Sequence, residues 1–122
     1  MDISAALAHF ESRLEWEIDA ADLWADRDTY VIVDARTPEA FAAGHVPGAI
    51  NLPHRTITTV SFPKDAVLVT YCDGIGCNAS TKAAVRLSRL GYRVKEMIGG
   101  IDWWRRDGLP VEGTAAAVAC GC

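Results

Sequence analysis

The chain has 122 residues, half of them apolar and 23% charged, as expected of one soluble globular domain that can bury its own core. The formal net charge of −4 argues against binding to nucleic acid or to an anionic membrane surface. Its apolar runs are shorter than the roughly 20 residues that cross a bilayer, and the N-terminus lacks the features of a signal peptide, so we expect a cytoplasmic protein.

The spacing of apolar residues predicts short helices that alternate with buried strands. The first helix is predicted over residues 3–14, with Ser4 as N-cap, within an N-terminal extension of residues 1–15. The other predicted elements are helices at residues 20–25, 39–43, 79–90 and 101–106, and strands at residues 16–18, 30–34, 49–52, 67–71 and 94–98. This alternation predicts an α/β fold with a mostly parallel central sheet and helices on both faces. Gly44, as a C′ residue, and Gly91 are expected to end two helices.

Cys72 directly follows the predicted strand at residues 67–71 and precedes a glycine-containing loop and a helix. In parallel sheets, ligands bind beyond the carboxyl ends of the strands. Loop amides and the positive end of the helix dipole can converge on a sulfur at that position, and both favour the reactive thiolate. These residues predict that Cys72 is a nucleophile.

Three further segments, taken together with Cys72, resemble the rhodanese family. Residues 34–41 resemble its Asp-x-Arg…Glu-Phe segment, residues 44–53 are similar to its first signature, and residues 99–110 to its second. The resemblance covers residues 16–112 and implies a three-layer sandwich with sulfurtransferase activity. Cys72 would carry a sulfane sulfur as a persulfide, from a small-molecule or protein persulfide donor to a thiol or other nucleophilic acceptor. We expect no cofactor.

The loop after Cys72 would bind the sulfur anion through its backbone amides, and Ser80 would open the following helix. The loop consists of Asp73, Gly74, Ile75, Gly76, Cys77, Asn78 and Ala79. These seven residues make the loop longer than is usual in the family, and none of them is basic. Because thiosulfate is a dianion and Asp73 is acidic, we expect thiosulfate to be a poor donor. The Asp73 charge should also raise the pKa of the Cys72 thiol.

Asp34 and Arg36 are predicted to support the site from the neighbouring strand. Asp34 ends the apolar run at residues 30–34, and Thr37 is placed to cap the short helix that follows. We interpret Asp34 and Arg36 as a structural ion pair near the strand end, in preference to a substrate-binding charge network.

The chain has four cysteines, too few and too unevenly spaced for a secreted disulfide framework. Cys77 could be a resolving thiol that closes a disulfide with Cys72, or an inert side chain of the loop. Cys120 and Cys122 lie in a tail, residues 113–122, that we expect to be flexible. They could relay sulfur, complete a four-thiolate zinc site with the loop cysteines, or have no role. We favour the last interpretation and expect no metal site.

Two other functions compete with sulfur transfer. The first is a redox switch or sulfur carrier in which Cys72 and Cys77 cycle through a disulfide without thiosulfate turnover. The second is an inactive binding domain, which the presence of Cys72 disfavours. A phosphatase or arsenate reductase is disfavoured as well, because Asn78 stands where their loop needs an arginine to hold the oxyanion.

Overall fold

Five parallel strands form the centre of the fold in the computed structural model, which describes residues 1–114. In chain order they are β1 (Glu17–Ile18), β2 (Tyr30–Asp34), β3 (Ile50–Asn51), β4 (Val67–Tyr71) and β5 (Arg93–Met97). They lie in the order β1-β5-β4-β2-β3, and every hydrogen-bonded pair is parallel. The carboxyl ends of the strands therefore meet at one edge of the sheet, which is where ligands bind in such folds.

Helices cover both faces of this sheet. Within residues 1–114 they are α1 (Ile3–Trp16), α2 (Ala20–Ala25), α3 (Pro38–Ala43), α4 (Ala79–Arg89) and α5 (Gly100–Arg106). Because successive strand residues point to opposite faces, Val69 of β4 joins a core cluster with Leu23 of α2 and Trp104 of α5. Its neighbour Leu68 joins a second cluster with Leu87 of α4. The three-layer α/β sandwich predicted from the sequence is confirmed.

The two central strands begin and end where the sequence predicts. Both β2 and β4 are continuous apolar runs, and each becomes fully buried towards its carboxyl end. The start of α1 differs from the prediction, because Asp2 rather than Ser4 is the N-cap: its Oδ1 accepts the Ala5 N–H at 3.1 Å. Ser4 is already inside the helix, which continues to Trp16.

The ends of α3 and α4 illustrate two different ways to stop a helix. Both glycines follow the ends of their helices, as the sequence predicts. Gly91 has a left-handed φ of +94°, whereas Gly44 caps α3 with an extended φ of −180°. After Gly44 the chain stays extended, and His45 forms an isolated antiparallel β-bridge with Glu112. The chain therefore does not need to reverse its direction at Gly44.

Helix α1 lies on the outside of the domain and buries none of its residues. Lys95 of β5 donates to the Glu15 carbonyl oxygen at 2.7 Å and ties the end of α1 to the sheet. No helix within residues 1–114 is both long enough and apolar enough to cross a membrane.

Candidate active site

Cys72 is the first residue beyond β4, and 2% of its surface is exposed. The start of α5 holds this part of the chain, because the Ile101 N–H donates to the Cys72 carbonyl oxygen at 2.9 Å. Gly100 permits that approach: its φ is +61°, and a Cβ there would lie 2.5 Å from the same carbonyl oxygen. The glycine turn before α5 therefore fixes the position of the candidate nucleophile.

The Cys72 sulfur is surrounded by polar groups of the loop and of α4. Its thiol donates to the Cys77 carbonyl oxygen at 3.2 Å, and the Ser80 hydroxyl oxygen lies 3.3 Å from the sulfur. Burial raises the pKa of the Cys72 thiol and the Cys77 side chain raises it further, while the hydroxyl and amide of Ser80 oppose the rise. Burial therefore opposes the Cys72 thiolate that the loop and the helix dipole are predicted to favour. Burial, rather than the Asp73 charge, is also the main cause of the raised pKa.

Cys77 lies in a different environment, half-buried at the far end of the loop. Burial opposes ionisation here too, but hydrogen bonds from the Cys72 side chain and from the Ala79 and Asp73 amides lower the pKa of the Cys77 thiol. The cradle of loop amides around Cys72 remains a prediction. The two cysteines lie close together, since the Cys72 sulfur is 3.2 Å from the Cys77 carbonyl oxygen and both residues line one cavity.

The remaining loop residues connect these two sulfurs. The Gly74 carbonyl oxygen accepts the Cys77 N–H at 3.1 Å, which closes a turn, and the Ile75 side chain between them is 88% exposed. Gly76 has no neighbour within 4 Å of its Cβ position. Asn78 precedes α4 but its side chain makes no capping hydrogen bond. The turn between Gly74 and Cys77 thus leaves the Ile75 side chain exposed to solvent.

Asp34 and Arg36 form a buried ion pair at the carboxyl end of β2. The guanidinium donates to Asp34 through Nη2 at 2.8 Å and Nε at 3.1 Å, and the Tyr71 hydroxyl donates to the same carboxylate at 2.7 Å. Burial, with the Asp34 charge next, raises the pKa of the Tyr71 phenol, which therefore stays a donor. This pair ties the ends of β2 and β4 together, as the structural interpretation predicts.

Arg36 also reaches the loop from outside it. Its Nη1 lies 3.5 Å from Oδ1 of Asp73, whose side chain is 71% exposed. Arg36, His54 and Arg55 line a cavity of about 340 Å³ that also contains Cys77. The loop itself carries no basic residue, but the fold brings positive charge to it from β2 and from the turn after β3. Sequence reasoning missed this because the contributing residues are distant in the chain.

A second cavity, of about 240 Å³, opens on the other side of the loop. Both cysteines line it, together with Ser80 and Glu96. Glu96 is a functional candidate that sequence reasoning missed: its Oε2 accepts the Ser80 hydroxyl at 2.6 Å and the Thr81 hydroxyl at 2.8 Å. The available signal was an acidic residue near the carboxyl end of a predicted strand.

The metal prediction concerns two cysteines that the structure does not describe. Cys120 and Cys122 lie outside residues 1–114, and so does the four-thiolate zinc alternative that requires them. Within residues 1–114, no group of three or more His, Cys, Asp or Glu side chains is placed to hold a metal ion.

These observations define the class of the protein: an α/β sandwich with a thiol site in a strand-to-helix loop. The cysteine follows the central strand, and the next helix begins beside its sulfur. A family profile described as "Rhodanese-like domain" matches residues 18–107. The chain therefore belongs to the rhodanese-like family, whose relatives include named sulfurtransferases, and the resemblance inferred from its motifs is confirmed.

Known proteins agree with this assignment. The chain is 40% identical over 101 residues to "Sulfurtransferase" of Allochromatium vinosum, covering 78% of this chain and 92% of that protein. It is 35% identical over 116 residues to "HTH-type transcriptional regulator Rv0324" of Mycobacterium tuberculosis, covering 91% of this chain. The chain spans about half of that relative, 51% of its length. The crystal structure of the BH2092 protein of Bacillus halodurans superposes with a TM-score of 0.89 at 41% identity, covering 95% of this chain and 90% of that one.

Proposed function

We propose that the protein is a sulfurtransferase that carries a sulfane sulfur as a persulfide on Cys72. The observation that carries the proposal is the placement of the Cys72 sulfur beyond β4, 3.3 Å from the Ser80 hydroxyl oxygen at the start of α4. Once Cys72 has lost its proton, a hydroxyl at this position can donate to the sulfur anion, whether it is the thiolate or the persulfide. Membership of a family with named sulfurtransferases supports the same chemistry.

The reaction divides one transfer into two displacements. In the first, the Cys72 thiolate attacks the outer sulfur of the donor, the bond between the two donor sulfurs breaks, and its electron pair leaves with the remainder of the donor. In the second, an acceptor thiolate attacks the terminal sulfur of the persulfide, and Cys72 departs as a thiolate. Each displacement breaks one sulfur–sulfur bond and forms another, so no external oxidant or reductant is needed.

The donor is a small-molecule or protein persulfide, and thiosulfate is a poor substrate. The exposed Asp73 carboxylate lies next to the nucleophile and repels a dianion. Arg36 offsets only part of that charge, since it already donates to Asp34 and to the Gly44 carbonyl oxygen.

Intact-protein mass spectrometry tests the proposal. The purified protein is incubated separately with the two donors that carry a sulfur–sulfur bond, thiosulfate and glutathione persulfide. We expect a gain of one sulfur atom that persists in Cys77→Ser and is absent from Cys72→Ser. A gain of sulfur that persists in Cys72→Ser, or no gain with any of the donors, would refute it.

A thiol switch is the second candidate, and the proximity of Cys72 and Cys77 favours it. The Cys77 carbonyl oxygen lies 3.2 Å from the Cys72 sulfur, both residues line one cavity, and Cys77 is the more exposed of the two. A Cys77 thiolate could attack the inner sulfur of a Cys72 persulfide, which forms the Cys72–Cys77 disulfide and releases hydrosulfide. Hydrogen peroxide would give the same disulfide by removing two hydrogens, with two molecules of water as product.

The two candidate functions predict different changes in the mass of the protein and different numbers of turnovers. The switch predicts a loss of two hydrogens after treatment with peroxide or a persulfide donor, prevented by Cys77→Ser. It also predicts that transfer to an added acceptor that does not reduce disulfides stops after a single event unless a thiol reductant is supplied. Repeated transfer by the wild-type protein without a reductant would exclude the switch as the main function.

A further inference from the structure

Three side chains form a continuous hydrogen-bonded path from the candidate nucleophile to a carboxylate. The Cys72 sulfur lies 3.3 Å from the Ser80 hydroxyl oxygen, which in turn lies 2.6 Å from Oε2 of Glu96. Cys72 and Ser80 are almost completely buried, with 2% and 3% of their surfaces exposed. The path joins three elements of the fold: the loop after β4, the first turn of α4, and β5.

The single hydroxyl hydrogen of Ser80 determines which groups donate and which accept along this path. A carboxylate can only accept, so the single hydroxyl hydrogen of Ser80 is committed to Glu96 at the short distance of 2.6 Å. The Ser80 oxygen can then only accept from the Cys72 thiol. In the reduced protein the thiol hydrogen therefore points towards Ser80 or towards the Cys77 carbonyl oxygen, the other acceptor at 3.2 Å.

We propose that Glu96 is a positioning residue that accepts, through Ser80, the proton that Cys72 must lose to become a nucleophile. This inference rests on the sulfurtransferase function proposed above. As the Cys72 S–H bond breaks, a new O–H bond forms on Ser80, and the original Ser80 hydrogen passes to Oε2 of Glu96. The products are a thiolate, a Ser80 hydroxyl that now donates to it, and a neutral carboxylic acid.

The advantage of this path in a buried site is that it creates no additional charge. One negative charge moves from the Glu96 carboxylate to the Cys72 sulfur, whereas simple loss of the proton to water would leave both groups charged in a region of low dielectric. Reversal of the same shift returns the proton when the acceptor thiol displaces Cys72 at the end of the cycle. General-base assistance of this kind is typically worth a factor of about 10²–10⁴ in rate.

The surroundings of Glu96 hold its carboxylate towards Ser80. Thr81 donates a second hydrogen bond to Oε2 at 2.8 Å. Glu17 of β1 is paired in register with Glu96 and lines the same cavity, and Arg13 of α1 lies 3.4 Å from the Glu17 carboxylate. The loop contributes the two thiols from the remaining side. Glu17 is therefore the matched control: a second carboxylate at the same cavity, with its own ion pair.

The test measures how the rate of Cys72 alkylation by iodoacetamide depends on pH, in a Cys77→Ser background with the alkylated peptide identified by mass spectrometry. Glu96→Gln keeps the size of the side chain but cannot take a proton. We expect alkylation of Glu96→Gln at neutral pH to be at least about tenfold slower than in the parent. The deficit should disappear as pH rises and hydroxide supplies the base. Ser80→Ala should show the same profile, the double variant should be no slower than either single one, and Glu17→Gln should match the parent.

Two results would overturn the proposal. An electrostatic role alone predicts faster alkylation of Glu96→Gln at neutral pH, because removal of a negative charge favours the thiolate. A purely structural role predicts a deficit of equal size at every pH. Thermal melting confirms that each variant is folded, and if Glu96→Gln fails to fold, Glu96→Ala is assayed in its place, with the same expected loss at neutral pH and recovery at high pH. Failure of the sulfurtransferase proposal would appear separately, as the absence of a persulfide in the parent. Because alkylation needs no sulfur donor, its pH profiles would still test the role of Glu96.

Discussion

Replacement of Arg36 by leucine removes the cation that neutralises the buried carboxylate of Asp34. Asp34 is completely buried, and the Arg36 side chain supplies hydrogen bonds to it from Nε and Nη2. The Tyr71 hydroxyl and the Arg36 amide remain as donors in the variant, but neither carries a charge. Removal of one partner from a buried ion pair typically costs about 3–5 kcal/mol, because the other charge is left uncompensated. We therefore expect Arg36→Leu to lower the free energy of unfolding by that amount.

Urea denaturation followed by circular dichroism measures this loss as a shift of the midpoint at a constant slope. Arg13→Leu is the control, because its pair with Glu17 has an arginine side chain that is 54% exposed and should contribute no more than about 1 kcal/mol. The double variant Asp34→Asn/Arg36→Leu should be more stable than Arg36→Leu alone. A loss below about 1 kcal/mol for Arg36→Leu, or no recovery in the double variant, would show that the pair does not hold β2 and β4 together as described.

Three further predictions concern the loop. Gly100→Ala should lower the melting temperature and slow the alkylation of Cys72 more than Gly108→Ala does. Both glycines have positive φ, but only a Cβ at Gly100 would meet backbone atoms, with the Cys72 carbonyl oxygen at 2.5 Å. Asp73→Asn should raise kcat/KM for thiosulfate about fivefold at low ionic strength, corresponding to about 1 kcal/mol for one charge pair, with the gain vanishing in high salt. At neutral pH, iodoacetamide should modify Cys77 before Cys72, because the pKa of Cys77 is lowered and that of Cys72 is raised; peptide mapping that finds Cys72 modified first would contradict this order.

The sequence specifies the sheet well because the relevant signals are local. Continuous apolar runs determine β2 and β4, and the fixed φ of Pro38 after Thr37 determines the start of α3. The position of Cys72 at a strand end also follows from local pattern alone. The Asp34–Arg36 pair could be predicted for the same reason, since the two residues are neighbours in the chain.

The parts of the site that escaped prediction depend on contacts between distant segments. Glu96 meets Ser80 only because β5 lies beside β4 and α4 begins above their carboxyl ends. The close approach of Gly100 to the backbone of Cys72, Asp73 and Gly74 could not be inferred from spacing within the loop either. Charge at Cys77 likewise comes from Arg36 and Arg55, which are outside the loop.

Cys72 and Cys77 differ in how deeply they are buried, and this difference explains why one fold supports both candidate functions. Cys72 is buried, and burial raises the pKa of its thiol, so it needs a nearby proton acceptor, which the path through Ser80 supplies. Cys77 is only half-buried and hydrogen bonds lower the pKa of its thiol, so it needs none. After a persulfide forms on Cys72, an external acceptor must attack the outer sulfur, whereas Cys77 can attack the inner one. Transfer and switching therefore differ only in which thiolate reaches the persulfide first, and the concentration of the external acceptor decides between them.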